Sequence, residues 1–171
     1  MMGLAFLSVA FGSVGVVSCT RIARADDATL AISSLDLGSG TRVATLSAHN
    51  MAPGDRVTTA LTVVNSSDRP VSYAMRAELG PADGAPLAAA LILTIKTVGS
   101  SCARFDGTTL FGGSLAEAAV GREGGGRPLL AATAEILCFR TELPADTGNA
   151  LQLTATTVTL TFDAPAQEAV R

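Results

Sequence analysis

The chain has 171 residues, 48% of them hydrophobic but only 4% aromatic, with no Trp and a net charge of −3. That length supports one domain with a sizeable core, filled mainly by small side chains, and does not call for two. The basic residues include a single lysine, Lys96, and form no run, which disfavours nucleic acid or an anionic membrane surface as a partner.

Residues 1–25 read as an export signal. Leu4 to Val17 is apolar or small throughout, the length of a secretory core and short of the ~20 residues a membrane-spanning helix needs. Two cleavage sites compete. Ala23-Arg24-Ala25 has the small-x-small form of a signal-peptidase site and would release a domain of residues 26–171. Val16-Val17-Ser18-Cys19 has the form of a lipobox, and cleavage there would place a lipid on Cys19 and tie the chain to a membrane. Cleavage after Ala25 removes two of the twelve basic residues, Arg21 and Arg24, and leaves ten facing fifteen acidic ones. It also leaves Cys102 and Cys138, an even pair in an exported chain, which predicts a disulfide.

From residue 28 onward, alternating segments separated by turn clusters predict strands. Thr29 to Leu37 changes parity: Leu30 and Ile32 are even, Leu35 and Leu37 odd. That predicts a bulge or a change of sheet near Ser33-Ser34. Arg42 to Ala48 is a weaker strand. His49 to Asp55 is turn chemistry, with Pro53 and Gly54 at the positions a type II turn requires, and it leads into a strand over Val57 to Val64. Val71 to Leu79 alternates most cleanly, with Val71, Tyr73, Met75, Ala77 and Leu79 inward.

Pro86 opens one helical turn. Leu91 to Val98 is a strand apolar on both faces apart from Lys96, and Cys102 follows in a loop. Thr108 to Phe111 is a short edge strand. Ser114-Leu115-Ala116-Glu117 matches a capping box and predicts one or two helical turns to Val120. The glycine-rich stretch Arg122 to Arg127 is a loop; no Lys-Ser/Thr follows it, so it is not a phosphate loop. Ala131 to Leu143 is a long strand with Leu137, Phe139 and Leu143 on one face and Cys138, Arg140 and Glu142 on the other. The disulfide is therefore expected on the outer surface. Leu151 to Ala164 changes parity, with a bulge expected near Ala155 to Thr157. The fold class is all-β, a β-sandwich of jelly-roll or immunoglobulin type with one or two very short helices.

Chemistry is hard to assemble from these residues. A serine triad and a zinc hydrolase both need histidine, and His49 stands alone in a turn. The acidic residues fall mostly at turns and outward positions without the spacing of a calcium loop. No catalytic, metal or cofactor site is assigned, and the expectation is a protein that is not an enzyme.

An ordered set of segments nevertheless carries a resemblance. Leu35-Asp36-Leu37, Asn50-Met51-Ala52-Pro53-Gly54-Asp55, Val63-Val64-Asn65-Ser66 and Tyr73 come first. Leu93-Thr94-Ile95, Cys102, Gly112-Gly113-Ser114-Leu115, Leu137-Cys138-Phe139-Arg140 and Thr159-Leu160-Thr161-Phe162 follow. In that order they resemble the TasA/camelysin family of secreted bacterial proteins, over nearly all of residues 28–164. The resemblance implies a jelly-roll-like sandwich, export, and self-association into matrix or cell-surface fibres. In these an N-terminal strand of one subunit completes the sheet of the next. The donor here would be Ala28 to Leu37, presenting Ala28, Leu30, Ile32, Leu35 and Leu37. The family's metalloprotease label finds no matching ligand cluster in this sequence and is not carried over.

Overall fold

The computed structural model describes residues 28–38, 40–80, 84–121 and 125–165. Ala25 and Cys19, with both cleavage sites, lie outside the described residues, as do positions 122–124 of the glycine-rich loop.

Two sheets form the domain. In the first, β1 (Ala28–Leu30), β3 (Gly40–His49), β11 (Ala155–Ala164), β5 (Val71–Leu79) and β8 (Ala119–Val120) lie in that order, with β9 (Arg127–Leu129) also paired to β5. In the second the order is β2 (Ser34–Asp36), β4 (Arg56–Asn65), β10 (Thr133–Glu142), β6 (Ile92–Thr97) and β7 (Thr109–Ser114). Set side by side, the two orders match β1 with β2, β3 with β4, β11 with β10, β5 with β6 and β8 with β7. Each match is consecutive in the chain. That is the winding of a jelly roll, and it resolves the choice between the two sandwich types.

The alternation predicted along the strands is what fills the space between the sheets. Leu46, Leu61, Val63, Tyr73, Met75, Leu93, Ile95, Leu137, Phe139, Val158, Leu160 and Phe162 are buried. Tyr73 and Phe162 stack across β5 and β11 with ring centroids 6.0 Å apart. The Pro53-Gly54 turn forms as expected: Gly54 has φ +89 and the Asp55 amide donates to the Ala52 carbonyl at 2.9 Å. Leu143 fastens this turn to the far end of β10, donating to the Asp55 carbonyl at 3.0 Å and accepting from the Gly54 amide at 2.7 Å.

Several expectations need correction. The weak strand at Arg42 to Ala48 is a full ten-residue member of the sheet interior, because β1 and β11 supply ladders on both its sides. The helix expected from Ser114 to Val120 is a single 3-10 turn, Leu115–Glu117, after which Ala119 and Val120 pair with β5 instead. The predicted bulge at Ala155 to Thr157 is absent from the described ladder, which runs in unbroken register from Ala155 to Ala164. The parity change is absorbed just before it, in a 3-10 turn at Asn149–Leu151 and a left-handed Leu153, φ +61. Leu79, placed inward by alternation, is 44% exposed at the end of β5. The one α-helix among the described residues, α1 (Ala85–Ala90), begins one residue before Pro86, the proline expected at its first position.

Candidate functional site

The N-terminal segment occupies an unusual place. β1 pairs antiparallel with β3, setting Ala28 opposite Ala48 and Leu30 opposite Leu46. The Ala31 amide adds one more bond, to the Thr45 carbonyl at 2.9 Å. The chain then crosses the gap between the sheets. Ser33 accepts from the Thr62 amide at 2.9 Å, and β2 runs parallel to β4 with Leu35 opposite Val63. The parity change at Ser33-Ser34 is therefore a change of sheet. One ten-residue segment supplies an edge strand to both sheets and closes that side of the sandwich.

All five residues expected on the donor face are turned toward the core. Ala28, Leu35 and Leu37 are buried; Leu30 and Ile32 are half-buried against it. Burying a large apolar side chain is worth about 1.5–3 kcal/mol, so the segment is held by its pockets as much as by its ladder. Its pairing here is within its own domain.

A polar clasp fixes the far end. Asp36 accepts from the Ser66 hydroxyl at 2.5 Å, the Ser66 amide at 3.3 Å and the Gly38 amide at 3.1 Å. Arg42 donates through Nε to the Asp36 carbonyl at 3.0 Å. The Ser66 hydroxyl bond, with the two amides and Arg42 adding to it, lowers the Asp36 carboxyl below its usual value. A depressed carboxyl contributes stability that is complete above the unfolded value, about pH 4, and drains as pH falls through the folded one. Asp106 and Asp163 are depressed too, by Ser100 and by Thr41 with Arg76, and act in the same direction. Melting curves of wild type and Asp36→Asn are expected to diverge above about pH 4 and converge below it, since only the wild type has this charge to lose. Parallel curves down to about pH 2 would show that the clasp carries none of the acid sensitivity.

Beyond the clasp, Gly38 has φ +49 and Gly40 φ +123, so the link to β3 turns through left-handed backbone that glycine adopts without cost.

Two further clusters contain contacts that were not read from the sequence, the second of them around the disulfide that was. At one end of the core the Tyr73 hydroxyl donates to Glu135 at 2.6 Å, and Arg127 holds the same carboxylate through Nε at 2.9 and 2.8 Å and Nη2 at 2.6 Å. Burial first, then Glu135, raises the Tyr73 phenol well above its usual value. Glu135 shares the parity of Leu137 and Phe139, which was the available signal that it points inward between the sheets.

The second cluster lies on the outer face of the second sheet. Cys102 and Cys138 form a disulfide with Cα atoms 5.2 Å apart. Cys138 does share the outer face with Arg140, but it is only 1% exposed, because the loop between β6 and β7 folds back over it. Phe105 from that loop lies 3.9 Å from the Arg140 guanidinium and 5.0 Å from Lys96 Nζ, which also donates to the Phe105 carbonyl at 3.1 Å. Burial lowers the Arg140 pKa, and Arg56 adds to the effect.

A cavity of about 590 Å³ opens on the outer face of the first sheet, lined by Ser72, Ala74, Arg76 and Asp163 and by Gly121, Gly125 and Gly126. Arg76 is paired there with Asp163 and Glu78, and Thr41 donates to Asp163 at 2.7 Å. His49 ends β3, with its Nδ1 3.2 Å from the Asn50 side-chain Nδ2. Among the described residues no group of three or more His, Cys, Asp or Glu is placed to hold a metal ion, and no helix is long and apolar enough to cross a membrane.

Neither the known family models nor the curated proteins contain a match to this chain. The geometry of the N-terminal seam is accordingly the ground on which a function is argued.

Proposed function

We propose that this chain is an exported, non-enzymatic structural protein, a subunit of biofilm-matrix or cell-surface fibres that assembles by β-strand addition. The observation that carries the reading is the position of residues 28–37. They form an edge of both sheets at once, at the beginning of the described residues, with Gly38 and Gly40 following at positive φ. If the same segment seats in a second copy, it remakes the same ladders and refills the same pockets. The exchanged and unexchanged states then differ little in contact energy, and concentration decides between them. Passing the segment along a row of copies builds an open-ended fibre. Secretion accords with the export-like residues 1–25 and with the disulfide, since such bonds persist in oxidising compartments.

The test is to tie the segment to its own domain. Ser34 and Thr62 are register neighbours of β2 and β4, and Ser34→Cys with Thr62→Cys would join them. Electron microscopy of the exported protein is expected to show fibres for the wild type and dispersed particles for the oxidised variant. Fibres of equal length from the locked variant would sink the proposal.

A second reading is an envelope-anchored module that binds protein or glycan. The lipobox-like Cys19 and the cavity beside Arg76 and Asp163 favour it. Mass spectrometry separates the two: an N-terminus at Asp26 belongs to the free subunit, a lipid on Cys19 to the anchored module.

A further inference from the structure

We propose that the outer face of the second sheet binds an acidic polysaccharide, a chain of carboxylate-bearing sugars, along a diagonal line of three cations: Lys96 on β6, Arg140 on β10 and Arg56 on β4. This goes beyond strand exchange, whose seam runs along β1 and β2, and it needs no assembly to operate.

The basic residues form no run along the chain, yet the register of the sheet makes one. Lys96 lies opposite Cys138, Arg140 opposite both Thr94 and Thr58, and Arg56 opposite Glu142. Each cation is therefore the diagonal neighbour of the next, two residues out of step on the adjacent strand. All three alternate with buried residues and share the outer face. Diagonal neighbours stand about 7–8 Å apart, so the line crosses three strands over about 15 Å.

Two observations mark this line as a site rather than a solvated face. The first is that its charge is left open. Arg140 donates through Nε to the Thr58 hydroxyl at 3.1 Å, but its two Nη groups make no hydrogen bond to a described residue and it has no ion-pair partner among them. Arg56 crowds it with a like charge, while Glu142 makes its contact with Arg56, at 3.5 Å. Lys96 Nζ donates to the Phe105 carbonyl alone, at 3.1 Å. Three positive charges thus face one negative charge. The loop over β10 adds one of each sign, Arg104 and Asp106, and the Asp106 carboxylate is taken up by the Ser100 amide at 3.0 Å and the Ser100 hydroxyl. The second observation is Phe105. It is buried with φ +55, left-handed backbone that an aromatic residue adopts only at a cost. The disulfide at Cys102 holds its loop there, and its ring lies against both Arg140 and Lys96. Strain of this kind gathers where a site is held in fixed geometry, and here it orders two cations before any ligand arrives.

The chemistry of the face selects the ligand. The free Nη edge of a guanidinium takes a carboxylate through two parallel hydrogen bonds. Cations spaced about 7–8 Å apart in a line suit an anion that repeats along a polymer better than a single small one. Thr58 and Thr94 flank Arg140 on the neighbouring strands and offer hydroxyls to those of a sugar. Nucleic acid fits worse, because single strands are gripped by stacking bases on exposed rings, and Phe105 is buried. An incoming peptide strand has no ladder to join, since β4, β10 and β6 are each paired on both sides.

Calorimetric titration of the exported full-length chain with polygalacturonate, a linear polymer of uronic acid, tests this, with dextran and polyphosphate for comparison. The wild type is expected to bind the uronate polymer, more weakly as salt rises, and to ignore dextran. Arg140→Gln should weaken binding by about tenfold or more. Arg56→Gln, at a side chain that is 61% exposed, should weaken it by about threefold or more with the melting temperature unchanged. Arg69→Gln removes an exposed cation from the turn after β4, off the line, and should bind as the wild type does. No binding by the wild type, binding that survives Arg140→Gln and Arg56→Gln, or an equal loss in Arg69→Gln would overturn the proposal. So would tighter binding of polyphosphate than of the uronate polymer, which would make phosphate the ligand. The Ser34→Cys, Thr62→Cys variant leaves the line intact and is expected to bind like the wild type, so failure of the fibre reading and failure of this one are told apart.

Discussion

Asn65→Ala is expected to destabilise the domain by about 3 kcal/mol, among the largest effects of any single polar substitution here. Asn65 ends β4 fully buried, and its amide nitrogen donates to the carbonyls of Arg69 at 2.8 Å, Leu130 at 2.9 Å and Leu129 at 3.2 Å. Its carbonyl oxygen accepts from the Ser67 hydroxyl at 2.7 Å and the Ser67 amide at 3.2 Å. One side chain thus joins the turn after β4 to the segment that leads from β9 into β10. Truncation leaves the buried Leu129 carbonyl without this donor and takes one from the part-buried carbonyls of Arg69 and Leu130, which keep the Ser67 and Thr133 hydroxyls; stranding a buried polar group costs about 1–3 kcal/mol. Asn65→Asp is the sharper probe. It keeps the acceptor for Ser67 but turns a carboxylate toward three carbonyl oxygens, which raises the pKa of the new group. A folded-state pKa above the unfolded one means that stability grows as pH falls, opposite to the trend set by Asp36, Asp106 and Asp163. Urea unfolding of both variants between about pH 4 and 7 reads this directly. Loss of less than about 1 kcal/mol in Asn65→Ala would show that water replaces the network.

The second large effect is at the disulfide. Replacing both cysteines, Cys102→Ser with Cys138→Ser, is expected to cost about 2–4 kcal/mol, near the figure for closing a loop across 36 residues. The loss should be uneven across the fold. The folded-back loop would keep only the contacts of Phe105 with Arg140 and Lys96, worth about 0.5–2 kcal/mol each, and the Lys96 bond to the Phe105 carbonyl. Hydrogen exchange is expected to quicken first in residues 99–107 and in Cys138 and its neighbours, while the inner-face strands keep their order of protection. Trypsin is then expected to cut after Arg104 faster than it does in the oxidised protein. Equal unfolding midpoints with and without the bond would mean that the aromatic and cationic contacts hold the loop alone.

Both effects bear on assembly. Asn65 sits beside Ser66, the residue that clasps Asp36 at the end of the N-terminal segment. A loosened turn at 66–70 is therefore expected to release residues 28–37 more easily, whereas loss of the disulfide acts near β7 on the other side. The two lateral sides of the sandwich are built alike: one continuous segment closes each, Ala28 to Leu37 on one and Thr109 to Val120 on the other. They differ in that the first lies at the beginning of the described domain and can leave it without breaking the chain's path through the core.

What the sequence determined by itself was local and periodic. Alternation placed β4, β5 and β10, and an apolar run placed β6; together they named most of the core, because an inward face two residues in repeat is visible without knowing what it packs against. Pro53-Gly54 fixed its turn because the backbone angles belong to those two residues. The parity change at Ser33-Ser34 announced a break, although bulge and change of sheet give the same pattern. The tertiary structure decided the rest. Ala44 and Ala48 have weak strand preference, and β3 is long because two neighbours pair with it. Ala119 and Val120 leave the expected helix because β5 offers them a ladder, which a lone capping box cannot outweigh. The inward turn of Glu135, the burial of Cys138 under Phe105, and the place of β7 at the end of its sheet all depend on residues distant in the chain. They are facts about which segments lie side by side, and that is the one thing a period of two does not contain.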